Sequence, residues 1–129
     1  MIFVDTSVWV AALRSGSGRE GTHLKELLDR DAVALAVIVR LEILMGANAR
    51  DRVTLRRALS GLPVHAPGTQ TWERIEEWID VASPAGHTFG IADLLVAALA
   101  HEQDAELWSL DQDFERMARL DLVRAYEPG

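Results

Sequence analysis

From Ala32 to Val39 the chain runs Ala-Val-Ala-Leu-Ala-Val-Ile-Val, and this stretch constrains the fold more than any other. A strand made of it has no polar face. Both faces must be covered, as in a parallel sheet held between layers of helices. The run leads into a helical segment, Arg40–Gly46. Similar units recur along the sequence. Ile2–Val4 is a short strand closed by Asp5-Thr6-Ser7, followed by the helical stretch Val8–Leu13. The glycine- and serine-rich segment Arg14–Gly21 reads as a surface loop before a helix over Thr22–Arg30. Further helices are expected at 51–59, 69–82, 90–103 and 111–119, with strands at 62–65, 106–109 and 122–125. The helix at 69–82 is amphipathic, with Trp72, Ile75, Trp78, Ile79 and Ala82 at helical spacing. The alternation predicts an α/β three-layer sandwich with a mainly parallel sheet of about five strands flanked by helices.

With 129 residues and 49% apolar content, one domain spanning 1–129 is expected, with enough material for a core. There is no cysteine, which excludes disulfides, thiolate metal sites and cysteine nucleophiles. No apolar run approaches the roughly 18 residues that span a bilayer, and the first residues lack the basic region of a signal peptide, so a cytoplasmic protein with no membrane contact is expected. Twenty acidic against 13 basic residues give a net charge of −7. A polyanionic partner would then need local basic patches or bound cations.

Most of the acids lie among other polar residues, but four do not. Asp5 follows the first strand directly, at the carboxyl end where open α/β sheets place ligand sites. Glu42 stands between Ile38-Val39 and Ile43-Leu44-Met45. Asp93 is the only charge between Phe89 and Ala100. Asp111 follows Leu107-Trp108-Ser109-Leu110, with Asp113 two residues on. Carboxylates in apolar surroundings cost several kcal/mol unless paired or hydrogen-bonded, and several in one pocket raise one another's pKa. A divalent cation with oxygen ligands removes that conflict, and a carboxylate set without histidine or cysteine suits Mg²⁺ or Mn²⁺ over Zn²⁺. Singly, Asp5 and Asp111 also fit helix N-caps, and Asp93 an early-turn acid. Capping does not account for Glu42.

In these residues the chain resembles the PIN-domain ribonucleases, and within them the VapC toxins of bacterial toxin-antitoxin pairs. The resemblance runs through Val4-Asp5-Thr6-Ser7-Val8, Leu41-Glu42-Ile43-Leu44-Met45-Gly46, Ile91-Ala92-Asp93-Leu94-Leu95-Val96-Ala97-Ala98 and Leu107-Trp108-Ser109-Leu110-Asp111-Gln112-Asp113-Phe114. It implies a PIN-like fold and a metal-dependent endoribonuclease that cleaves structured RNA such as tRNA or rRNA loops. Asp5, Glu42, Asp93 and Asp111 would form the catalytic site. Asp5, Asp93, Asp111 and Asp113 would hold Mg²⁺, with Mn²⁺ as the alternative. Thr6 and Ser109 match hydroxyl positions that orient Asp5, a water or the scissile phosphate; a turn or cap hydroxyl is the competing use. Water as the nucleophile implies products with 5′-phosphate and 3′-hydroxyl ends. The resemblance also implies a homodimer and a VapB-type antitoxin whose tail covers the site. Two positions depart from the pattern. Met45 stands where an aromatic commonly precedes the glycine, and Arg40 stands where a small polar residue is common, close enough in sequence to pair with an acid.

Arg14 and Arg19 flank the glycine-rich loop as candidate grips for RNA phosphates. Arg50, Arg52, Arg56 and Arg57 could serve the same end or form a solvated helix face. Leu41, Leu44, Met45, Trp72, Trp78 and Ile79 are candidates for core packing or partner contact, and Trp9 and Trp108 for core packing or base stacking. The histidines His23, His65, His87 and His101 show no metal-site spacing. A phosphatase of the doubly wound class and a non-catalytic binding module are the competing functional readings.

Overall fold

The computed structural model describes all 129 residues. Its strands β1 (Ile2–Val4), β2 (Val33–Ala36), β3 (Val64–His65), β4 (Glu106–Trp108) and β5 (Arg124–Ala125) form one parallel sheet in the order β3-β2-β1-β4-β5. The helices are α1 (Thr6–Arg14), α2 (Arg19–Asp29), α3 (Val37–Met45), α4 (Ala49–Leu59), α5 (Thr69–Ala82), α6 (Ile91–Glu102) and α7 (Gln112–Arg119), with a 3₁₀ turn at Ser83–Ala85. The α/β sandwich expected from the alternation is present. All residues of β1 and β2 are buried, as strands covered on both faces must be.

The long apolar run is shared between two elements. The strand ends at Ala36, and the helix starts at Val37, inside the stretch expected to be strand. Hydrophobicity without alternation cannot separate a buried strand from a buried helix, and here Val39, Ile43 and Leu44 carry the buried side of α3. Other boundaries move as well. Helix α1 begins at Thr6 with Asp5 as its N-cap, α2 begins at Arg19 inside the expected loop, and α4 begins at Ala49, capped by Asn48. Strand β5 is limited to Arg124–Ala125, because the Leu122 amide donates to the Met117 carbonyl and so closes α7.

Helix α6 is buried over Leu94–Ala100, with alanine at 97, 98 and 100. It packs on β2 and β4 and against α5 and α7, and a helix apolar on every side has no other stable place. Trp9 and Trp108 belong to the core, as do Trp78 and Leu44; Leu41, Met45, Trp72 and Ile79 are exposed. The chain turns in opposite directions from β1, toward β2 on one side and β4 on the other. The crevice at the carboxyl ends of those neighbouring strands is where a doubly wound sheet binds its ligand.

Candidate active site

Asp5 leaves the carboxyl end of β1 and caps α1. Though only 7% exposed, it is well supplied with donors. Its Oδ2 accepts from the Ser109 hydroxyl at 2.8 Å, the Ser7 hydroxyl at 2.9 Å and the Ser7 amide at 3.4 Å. Ser7 Oγ in turn accepts from the Leu110 amide at 3.0 Å, and Ser109 Oγ from the Asp111 amide at 3.0 Å. These bonds join the end of β1 to the end of β4, 104 positions along the chain. Because every donor converges on Oδ2, Oδ1 is free for a ligand, and the carboxylate is aimed rather than merely satisfied.

Asp93 enters from the first turn of α6, while Asp111 caps α7 by accepting from the Asp113 amide at 2.9 Å. One carboxylate oxygen from each of Asp93, Asp111 and Asp113 lies within 4.8 Å of the others. Burial pushes the Asp93 carboxyl up to about 6 from 3.8, helped by the negative charges of Asp111, Asp5, Asp113 and Glu42 in that order. These oxygens fit a hard divalent cation, which takes carboxylate ligands and relieves the mutual repulsion that raises Asp93. Asp5 lies outside the group of three but close enough to act on Asp93.

Glu42 is the acid whose setting differs most from expectation. It is exposed, because Leu41, Glu42 and Met45 occupy the solvent arc of α3 while Val39 and Ile43 face inward. Thr6 Oγ1 donates to Glu42 Oε1 at 2.8 Å and makes no bond to Asp5, so the threonine serves Glu42 while Ser7 and Ser109 serve Asp5. Ser7 carries the Asp5-orienting role that the resemblance offered, as one of several, for Thr6. Arg116 is a second residue that sequence patterning missed: its Nη1 donates to Asp113 Oδ1 at 2.7 Å, the one guanidinium paired with an acid of the cluster. Arg40 pairs with none.

Arg14 shares a groove with Glu42, Val10, Leu13 and Leu55, and Arg19 shares a cavity with Ser109 and Asp111. Both guanidiniums are exposed and unpaired. On α4, Arg50, Arg52, Arg56 and Arg57 are all exposed, in keeping with a solvated face. The histidines are occupied structurally. His23 bonds Tyr126, His101 bonds the Leu122 carbonyl, His65 packs on Phe3 and His87 on Phe89.

Residues 2–120 match the PIN domain family. The chain is 32% identical over 130 residues to the VapC ribonuclease Mb1587 of Mycobacterium bovis, covering 97% of both proteins, and 34% identical over 126 residues to ribonuclease VapC18 of Mycobacterium tuberculosis, covering 93% of this chain and 90% of that one. Among solved structures it resembles VapBC2 of Rickettsia felis bound to a DNA fragment from their promoter, with a TM-score of 0.80 at 20% identity and full coverage of both chains. It also resembles VapC20 of M. tuberculosis, a sarcin-ricin loop cleaving toxin, with a TM-score of 0.66 at 22% identity over 90% of this chain and 94% of that one.

Proposed function

The chain belongs to the PIN-domain family and, within it, to the VapC ribonucleases, and from that premise we propose that Asp5, Glu42, Asp93 and Asp111 are the catalytic acids of an Mg²⁺- or Mn²⁺-dependent endoribonuclease. Asp93, Asp111 and Asp113 hold the cation together with Asp5. The observation that carries this reading is the convergence of three carboxylates from two elements within 4.8 Å, beside a fourth that hydrogen bonds aim at the same crevice. Membership of the family sets aside the phosphatase alternative.

When bound, the cation neutralises charge on the phosphate and lowers the pKa of water near it. The chain's own residues do the rest. Ser7 and Ser109 lock the Asp5 rotamer through Oδ2 and leave Oδ1 without a hydrogen bond. Asp93, whose burial and acidic neighbours raise its proton affinity, is the acid whose ionised form a cation would relieve most. Glu42, fixed by Thr6 on the exposed wall, is placed to orient an attacking water. Arg14 and Arg19 grip flanking phosphates, which the net charge of −7 would otherwise repel.

The partner is a VapB-type antitoxin. The groove formed by Val10, Leu13, Ile43 and Leu55, about 260 Å³ in volume, opens beside Glu42, so an apolar segment seated there delivers its continuation to the acids. Exposed Trp72 and Ile79 on α5 form a separate apolar face suited to a second copy of the chain.

The test is incubation of antitoxin-free protein with total bacterial RNA in Mg²⁺, Mn²⁺ or EDTA, beside Asp5→Asn and Asp93→Asn, with new 5′ ends sequenced. Discrete 5′-phosphate ends that vanish with EDTA and with either substitution are expected. Cyclic 2′,3′-phosphate products, or cleavage indifferent to EDTA, would refute the mechanism.

A further inference from the structure

Next to the carboxylate cluster, and sharing Ser109 and Asp111 with it, lies a cavity of about 230 Å³ between β4, β5, α7 and the start of α2. The chemistry described above uses Arg19, Ser109 and Asp111 on its rim but not its aromatic side. One side is aromatic. The rings of His23 and Tyr126 stack at 5.7 Å with 25° between their planes, His23 Nε2 and Tyr126 Oη are 2.7 Å apart, and Trp108 meets both rings edge-on at 5.2 and 5.9 Å. The other side is ionic: Glu20, Glu115 and Glu127 line it, and Arg19 stands among them with no ion pair. Glu20 and Glu127 are also without partners, and Glu115 reaches only Arg119, at 4.0 Å on the surface.

Each feature constrains a ligand. Continuity with the cluster through Ser109 and Asp111 means that a molecule spanning both places a reacting group on the acids and another part in the cavity. An aromatic wall suits a flat partner. Free carboxylates accept N–H donors and repel carbonyl oxygens, while the unpaired guanidinium at the same place suits a phosphate. RNA bases are read in this way when unstacked, and adenine, cytosine and guanine offer exocyclic amino donors where uracil offers mainly carbonyls. We propose that this cavity is a nucleobase subsite, seating one unstacked base of the substrate next to the scissile phosphate and favouring an amino-bearing base over uracil. The identity of the ligand as RNA rests on the ribonuclease reading above. A cationic peptide side chain would also meet the three carboxylates, but Arg19 opposes it and has no role in such a complex.

Two measurements separate the outcomes. In the first, isotope-labelled Asp93→Asn protein, without added metal, is titrated by NMR with cytidine monophosphate, uridine monophosphate or acetyl-arginine amide. Shifts confined to the amides around Leu110, Glu115 and Tyr126 are expected with the cytidine nucleotide, and about tenfold weaker binding of the uridine nucleotide, the size of a hydrogen bond to a charged acceptor. The preference should disappear in Glu20→Gln/Glu127→Gln. Equal response to both nucleotides, shifts elsewhere, or a response to acetyl-arginine amide alone would overturn the subsite, the last by giving the cavity to a peptide. In the second, wild-type cut sites in total RNA should be depleted of uracil at one fixed position beside the cut, a bias lost in the same double variant. Cleavage with no such bias, or with a bias the variant retains, also overturns it. Absence of any cleavage while the cytidine nucleotide still occupies the cavity supports the subsite and refutes the nuclease reading instead.

Discussion

Aspartates gather at both ends of the parallel sheet, and the two ends treat them in opposite ways. At the amino ends, Asp31, Asp104 and Asp121 precede β2, β4 and β5, each with left-handed backbone (φ 53, 50 and 59°). Each closes a helix in the same manner: its amide returns to Leu28, His101 or Ala118, and the next amide to Leu27, Ala100 or Met117. These carboxylates stand apart in solvent, and Asp104 pairs with Arg124 at 3.2 Å. At the carboxyl ends, Asp5, Asp93, Asp111 and Asp113 share one crevice and raise the proton affinity of Asp93. The same residue type therefore terminates helices at one end and concentrates negative charge at the other. Strand direction, more than residue identity, distinguishes them.

The contrast is broken most forcefully by neutralising one acid at each end. Asp93→Asn should lower RNA cleavage by more than about a hundredfold, in line with the loss of one preorganised electrostatic group, whereas Asp121→Asn should stay within about twofold, as surface changes do; initial rates on a mapped cleavage site decide. A loss at Asp121 as large as that at Asp93 would erase the distinction. Ser109→Ala or Ser7→Ala should cost about ten- to a hundredfold in activity or Mn²⁺ affinity, because each frees Asp5 to rotate. Titration calorimetry with Mn²⁺ reads this without turnover.

Stability should respond with opposite sign at the active end. In metal-free protein the Asp93 carboxyl binds its proton more tightly folded than unfolded. Its unfavourable contribution is therefore absent below about pH 4, grows as pH rises and is complete above about pH 6. Asp93→Asn should then stabilise the metal-free fold at pH 7.5 by on the order of 1 kcal/mol, less than the full shift implies because solvent screens the partly exposed carboxyl, with the gain shrinking toward pH 4; urea midpoints at the two pH values test it. The smallest effect belongs to the amino end, where Asp31→Gly should add about 0.5–1 kcal/mol by relieving a left-handed non-glycine residue. Destabilisation would mean that the aspartate side chain contributes more there than its backbone strain costs.

The acids at the crevice were legible in sequence because they interrupt apolar runs, and three of the four helices and strands that carry them lie close to where the pattern put them. What was not legible depends on helix phase or on distant pairing. Thr6 and Ser7 are adjacent hydroxyls, and only the start of α1 at Asp5 decides that Ser7 faces back to that carboxylate while Thr6 reaches Glu42. Glu42 reads as embedded in apolar sequence, yet the arc of α3 turns it outward. Arg116 is one turn beyond Asp113, a spacing indistinguishable in sequence from an ordinary surface pair. The aromatic cavity draws His23, Trp108 and Tyr126 from segments that only the sheet order unites, so no local pattern announces it.

The pairing of Ile2 with Glu106 across β1 and β4 has a consequence in time. Chains emerge from the ribosome amino end first, and a contact between such distant positions must wait for the later one. Asp5 is synthesised at the start, but one of the two serines that aim it and two of the acids that surround it lie beyond position 108. A nascent chain short of that point has no assembled crevice. The crevice therefore assembles late and all at once, after the last of its acids has been made.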